Sequence, residues 1–394
     1  MEDPIVIVSA IRTPIGAYGQ SLKNISSGFL ASHVVKESLR RVNLPADHID
    51  EVILGEVRQS TESSNIARVA ALRAGIPEQV TAFTVNRLCA SGIQAVTSGV
   101  QQILSNQADI VVAGGAESMS RSPIYLRNTR FGGDRTTIVD SNLEAGQQPP
   151  EIYGKSLSMG ITAENVARKY KISREDQDAF ALESQHRAKK AIETGRFKKE
   201  IAPIEVKEKK QTSVFAVDEY PRLDTSLEKL ASLKPVFEAD GTVTAGNACG
   251  RNDGASALVI MKESRAKHLG LKPLARIIDW STAGVSPEMM GIGPVPAVNQ
   301  LLKRTNKTLQ DIDLIELNEA FASQSIAVIR QLGLDYEKVN VNGGAIALGH
   351  PVGATGTRII TTLIYELIRR KQQYGIATLC AGGGQGMAIL IEQC

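Results

Sequence analysis

Short unbroken apolar runs alternate along the chain with segments whose apolar residues recur every third or fourth position. Residues 5–8 and 51–57 are β-branched and aliphatic, the pattern of strands buried on both faces. Between them, residues 27–41 place Leu30, Val34, Val35 and Leu39 on one stripe, which predicts a helix. A third run, residues 80–85, leads into Asn86-Arg87-Leu88-Cys89-Ala90-Ser91-Gly92. Behind it, residues 91–104 are small and apolar at helical spacing (Ala95, Val96, Gly99, Val100, Ile103). Residues 109–115 form a further buried strand ending in glycines. Such alternation predicts a layered α/β sheet with crossover helices.

The middle of the chain breaks this pattern. Residues 120–150 keep no period and are rich in Gly, Pro, Asp and Arg, which predicts a long loop. Ser173-Arg174-Glu175-Asp176 has the hydroxyl and acidic residues of a helix start, and Gly195 marks its stop. Residues 196–210 carry six basic residues against three acidic ones, ordinarily a solvated face. The final third then repeats the first. Residues 313–319 parallel 50–56. Residues 338–342, with a glycine turn and a helix after them, parallel the strand, turn and helix around Cys89. Residues 375–383 parallel 108–115. Two similar α/β halves around an inserted segment is the simplest architecture.

Composition narrows the function. A chain of 394 residues exceeds the roughly 250–300 that one core supports, so two or three domains are expected. A hydrophobic content of 42% with 22% charged residues fits a folded protein. The net charge of +3 and the lack of a basic stripe with interleaved aromatics argue against a nucleic-acid binder. No apolar run approaches a membrane span. The start Met1-Glu2-Asp3-Pro4 and the end Glu392-Gln393-Cys394 resemble neither a leader peptide nor a peroxisomal address. The four cysteines, Cys89, Cys249, Cys380 and Cys394, lie far apart with no C-x-x-C spacing. This indicates neither a disulfide framework nor a zinc site, and suggests a reducing cytoplasm.

Candidate chemistry is sparse. Cys89 sits where a strand becomes a helix, and the helix dipole there favours the nucleophilic thiolate, although a free cysteine is more often a small core residue. Of the five histidines, His33, His48, His186 and His268 lie in polar surroundings and read as surface residues. His350 differs, lying in Gly349-His350-Pro351-Val352-Gly353-Ala354-Thr355-Gly356, where glycines let backbone approach a ligand. Cys380 ends a buried strand before Ala381-Gly382-Gly383-Gly384-Gln385-Gly386. Too little chain follows for a dinucleotide-binding unit, and there is no phosphate-binding P-loop. If the halves are related by pseudo-symmetry, these strand ends converge. Two thiols beside an imidazole would supply a nucleophile, its base and a separate acid/base.

Taken together, residues 86–92, Asn318-Glu319-Ala320-Phe321, residues 343–356 and residues 380–386 resemble the thiolase family over essentially the whole chain. The resemblance implies a five-layered αβαβα fold. Its N-terminal half would be residues 1–119 and 245–271, its C-terminal half 272–394, and its coenzyme A-covering loop domain 120–244. It makes Cys89 the acyl-carrying nucleophile, His350 the group that takes the Cys89 proton and binds a thioester oxygen, and Cys380 the acid/base at the α-carbon. Asn318 would hold a water that forms one oxyanion hole with His350, and the N–H groups of Cys89 and Gly382 would form the other. Arg222 would meet the nucleotide end of coenzyme A, and Phe237, Ala245, Gly246 and Phe321 would line pantetheine or acyl group. The basic middle segment becomes coenzyme A cover.

Two positions depart from the family pattern. Ser158, beside Met159, stands where short-chain members usually carry histidine, and Cys249 replaces a serine that commonly contacts coenzyme A. The implied activity is an acetyl-CoA C-acetyltransferase converting two acetyl-CoA to acetoacetyl-CoA and CoA. It would need no metal or cofactor and would work as a homodimer or homotetramer. The alternatives are a broader 3-ketoacyl-CoA thiolase of fatty-acid degradation and a non-catalytic acyl-binding relative. A decarboxylating ketoacyl synthase would carry histidine where Cys380 stands. The dipole and His350 together predict a Cys89 that alkylates well below the free-thiol pKa of about 8.5.

Overall fold

The computed structural model describes residues 3–132, 136–144, 146–154, 156–208 and 211–394, so Lys209 and Lys210 of the basic run lie outside the described residues. Nine strands form the frame: β1 (Ile5–Arg12), β2 (Glu51–Gly55), β3 (Thr81–Val85), β4 (Ile110–Ser118), β5 (Asn252–Lys262), β6 (Ala275–Gly284), β7 (Leu314–Leu317), β8 (Tyr374–Ala381) and β9 (Gln385–Gln393). They hydrogen-bond in the order β7-β8-β9-β6-β1-β5-β4-β2-β3, with the short strand Gly16–Ala17 pairing with β5. At the centre β1 meets β6 through Val6–Arg276 and Ile7–Ala275.

The two sides match outward from that central pair. Each runs antiparallel, antiparallel, then parallel: β1-β5-β4-β2 on one side and β6-β9-β8-β7 on the other. Where β3 extends the first side, the second has only the parallel bridge Ile315–Val339, so the strand expected over residues 338–342 does not form. Asn340 explains the difference. Its side chain accepts from Leu317 N–H (2.8 Å) and donates to Leu317 C=O (2.7 Å), doing the work of a strand backbone while its own φ is 46°.

Helices α1 (Ser27–Arg40), α2 (Ile66–Ala74), α3 (Ser91–Leu104), α4 (Met159–Lys169), α5 (Arg174–Glu193), α6 (Pro294–Thr305), α7 (Ala322–Leu332) and α8 (Val352–Arg370) complete the layers. Strand side chains alternate between two cores, as a period of two demands. Val6, Val52, Leu54 and Val112 pack with α1 and α2 on one outer face. Ile7, Ile53, Val111, Leu379 and Ile389 pack around α3 and α8. Ile315, Leu317, Ile376 and Leu390 meet α6 and α7 on the other outer face. Helix, sheet, paired helices, sheet and helix are the five layers.

The two central helices touch at glycine. A Cβ on Gly92 would lie 2.6 Å from Thr357 N, and one on Gly356 would lie 2.3 Å from Ile93 N. Only glycine permits that approach, and it brings the N-terminal turns of α3 and α8 together.

The inserted segment is more ordered than its composition implies. The expected loop contains a hairpin, Ile124–Arg127 with Thr137–Asp140, with exposed Ile124, Leu126 and Ile138 and, at its turn, exposed Phe131. Ser173 caps α5 by accepting from Asp176 N–H at 3.0 Å, and Gly195 follows the helix at φ 68°. The basic stretch enters a second hairpin, Ile204–Glu208 with Gln211–Phe215. Its Ala202, Ile204 and Val206 are buried in the α1–α2 core, and no described residue of 196–208 lines the cavity detailed below. Alternating apolar residues, hidden among the charges, bury one face of this stretch and leave Glu205 and Lys207 exposed on the other.

Candidate active site

Cys89 sits on a tight turn between β3 and α3. Leu88 takes φ 51°, uncommon for a non-glycine residue. The turn is held by its own side chains. Leu88 N–H donates to Asn86 Oδ1 (2.9 Å), Arg87 N–H donates to Ser91 Oγ (2.9 Å), and Ser91 O–H donates to Leu88 C=O (2.6 Å). The result presents Cys89, half-buried, at a cavity of about 300 Å³ shared with His350, Cys380 and Gly382.

His350 is buried, and its tautomer follows from its neighbours. Its Nδ1 lies 2.7 Å from Thr355 Oγ1, and the single hydroxyl proton of Thr355 is donated to Pro351 C=O at 2.9 Å. Thr355 can therefore only accept, so Nδ1 carries the imidazole proton and Nε2 keeps a lone pair. Nε2 has no partner among the described residues. The backbone is fixed as well: His350 N–H donates to Asn252 Oδ1 (2.9 Å), and Asn252 Nδ2 donates to Gly16 C=O (3.0 Å). Thr355 was not legible as a partner until Val352 was known to start a helix, which folds position 355 back beside 350–351.

Cys380 is the last residue but one of β8, buried, opposite Gly386 on β9. Gly383 and Gly384 turn the chain at φ 73° and 82°. The Gly382 N–H and the Cys89 N–H both favour the Cys89 thiolate. Asn318 follows β7, one strand from Cys380, with its N–H donating to Thr378 C=O at 3.0 Å. It is fully buried and does not line the cavity, yet neither Oδ1 nor Nδ2 has a partner among the described residues. A buried carboxamide in that state suits a polar guest such as water.

Of the substrate positions, Ser158, Met159, Phe237, Cys249 and Phe321 line the cavity. Phe237 and Phe321 meet edge to face at 6.4 Å, and Phe237 lies so close to Gly160 that a Cβ there would fall 2.2 Å from its ring. Ser158 caps α4, accepting from Ile161 N–H. Arg222, Ala245 and Gly246 are not among the lining residues. Arg222 and Ala245 are exposed, and Gly246 is buried against Leu230 and Leu233. Sequence reading missed Arg58 and Met290, which also line the cavity. Of the other histidines, His186 and His268 are exposed, whereas His33 and His48 are half-buried.

The electrostatics reverse one expectation. Burial pushes the Cys89 thiol up to about 11, against the pull of the Gly382 and Cys89 N–H groups and of Arg58. A helix dipole supplies about 0.3–1 kcal/mol, less than the roughly 1.36 kcal/mol of one pKa unit, so desolvation wins. Burial, with Arg358 adding to it, pushes His350 down to about 3. Cys380 is raised well above its usual value by burial and by the neighbouring Cys89 and Cys249. At neutral pH the resting pair is therefore a thiol and a neutral imidazole. Inactivation by iodoacetamide should accordingly climb about tenfold per pH unit, with no plateau near neutrality. A midpoint below the free-thiol value of about 8.5 would contradict this arrangement.

Two thiols and an imidazole with an unpartnered nitrogen in one pocket are the groups that a thiol-dependent acyltransferase requires. The chain belongs to the thiolase family. It matches the thiolase N-terminal domain over residues 5–264 and the C-terminal domain over 271–393. The acetyl-CoA acetyltransferase of Syntrophomonas wolfei is 47% identical, covering 100% of both chains. The crystal structure of the Bacillus anthracis acetyl-CoA acetyltransferase superposes at TM-score 0.96 with 48% identity, covering 100% of this chain and 99% of that one. Human mitochondrial 3-ketoacyl-CoA thiolase in complex with CoA superposes at 0.94 with 46% identity, covering 100% and 98%.

Proposed function

We propose that the protein is an acetyl-CoA C-acetyltransferase, reversibly joining two acetyl-CoA into acetoacetyl-CoA and CoA. The observation that carries this reading is the unpartnered His350 Nε2 in the same small cavity as the Cys89 and Cys380 thiols.

The resting protonation states close a balanced cycle. Cys89 Sγ attacks the first thioester carbon as its proton passes to His350 Nε2, and the departing CoA takes the Cys380 proton. The Cys380 thiolate then removes the α-proton of the second acetyl-CoA. The resulting enolate attacks acetyl-Cys89, and Cys89 leaves, recovering its proton from His350. Thiolysis is the same path reversed. The enolate oxygen is held by protonated His350 and an Asn318-bound water, and the tetrahedral oxyanion by the N–H groups of Cys89 and Gly382. Fixed donors of this kind contribute about 3–4 kcal/mol each.

Coenzyme A enters as substrate, and the cycle uses no metal. Arg222 and Ala245, exposed outside the cavity, are available to its nucleotide end and pantetheine arm, whereas Gly246 is buried. The short acyl group is favoured by a cavity of about 300 Å³ walled by Met159, Met290, Phe237 and Phe321. Thiolysis rates across chain lengths test this. Acetoacetyl-CoA should exceed a long-chain 3-ketoacyl-CoA by at least about tenfold in kcat/KM. The opposite order would assign the enzyme to broad-chain fatty-acid degradation. Three free thiols lining one cavity also favour a reducing cytoplasm.

A further inference from the structure

The proposed chemistry leaves one buried charge beside the nucleophile unexplained. Glu117, at the end of β4, is buried, and its carboxylate accepts three backbone N–H groups from two places in the chain. Arg58 N–H reaches Oε1 at 2.9 Å, and Val57 and Gly353 N–H both reach Oε2 at 3.0 Å. Val57 and Arg58 line the cavity on the Cys89 half. Gly353 lies in the first turn of α8, three residues after His350, and neighbouring Val352 also lines the cavity. That turn is wedged against the first half. A Cβ on Gly353 would stand 2.6 Å from Ala116 O, and one on Gly115 would stand 2.0 Å from Gly353 O.

We propose that Glu117 is a positioning residue that sets the Cys89–His350 geometry, because its carboxylate clamps the Val57–Arg58 turn and the first turn of α8 to the same strand end. The inference rests on the acyl-transfer reading of the site. The groups that face Glu117 are Glu56 and Arg58, both from the turn that follows β2, and Cys89. Glu56 donates nothing to the clamp. It takes the Ser27 hydroxyl on Oε1, and its Oε2 has no partner among the described residues. Burial, with the neighbouring Glu117 adding to it, pushes Glu56 up to about 8. Glu117 itself is raised to about 7 by burial, against the pull of its three N–H donors. Acid therefore removes the charge that holds the clamp.

Glu117→Gln tests this. Its shape is kept, but a donor NH₂ replaces one acceptor oxygen. We expect kcat to fall about 10- to 100-fold, as misplacement of reacting groups does, with KM nearly unchanged. The Cys89 alkylation midpoint should move down, because a negative charge that raises it is gone. A variant with wild-type kcat per folded molecule and only a lower melting temperature would make Glu117 structural glue and overturn the proposal. Should that variant not fold, Glu117→Asp in the full-length enzyme serves. The charge is kept but drawn back by one methylene from its three N–H donors, so kcat should fall about tenfold or more with KM nearly unchanged, and wild-type kcat per folded molecule would overturn the proposal. Acetylation of Cys89 by acetoacetyl-CoA, scored by mass in the wild-type protein, tests the underlying reading separately.

Discussion

Cys89→Ala will carry no acetyl group after mixing with acetoacetyl-CoA, and its turnover will be lower by at least about 10⁴-fold. Removing a nucleophile that works through a covalent intermediate leaves only binding and oxyanion stabilisation, neither of which forms the thioester. In the wild-type protein without free CoA, one acetyl group should appear on the peptide containing Cys89 and disappear when CoA is added. The location matters because Cys249 and Cys380 share the cavity. Intact and peptide mass would settle it, and a label on either of those other thiols would reassign the nucleophile.

Cys380→Ala should separate the two half-reactions. Exchange of acetyl between acetyl-CoA and CoA needs Cys89 and His350, and its leaving group is a thiolate whose parent acid has a pKa of about 8.5, so it leaves readily without help. Condensation instead makes an enolate, which needs a base at the α-carbon. Exchange should persist within about tenfold of wild type, while condensation and thiolysis fall about 10³- to 10⁴-fold. Isotope exchange between labelled CoA and acetyl-CoA, set beside acetoacetyl-CoA consumption, reads both. Equal losses in the two assays would show that the proton Cys380 gives the departing CoA is indispensable to acyl transfer as well.

Much of the frame was legible because strands buried on both faces leave unbroken apolar runs, and because the halves repeat their order. Cys89, His350 and Cys380 stood out through their glycine-rich or strand-end settings. What stayed hidden was whatever depends on distance through space. Asn340 replaces a strand with its side chain, and Thr355 sets the His350 tautomer from one helical turn away. Glu117 gathers donors from positions 57, 58 and 353. The protonation state of Cys89 was misread for a related reason. A helix start is visible in sequence, while the depth of its surroundings is not, and depth carries the larger effect.

The matched halves also show a lost symmetry. Leu314 pairs with Gly375 as Glu51 pairs with Val111, so by register the first-half counterpart of Cys380 is Ala116. A frame of two matched halves carries the Cys89–His350–Cys380 centre as unlike contributions, Cys89 from the first half and His350 and Cys380 from the second. Neither half is a smaller enzyme. Cut between them, the chain would yield two folded-looking pieces and no catalyst, and activity would return only as fast as the pieces found each other.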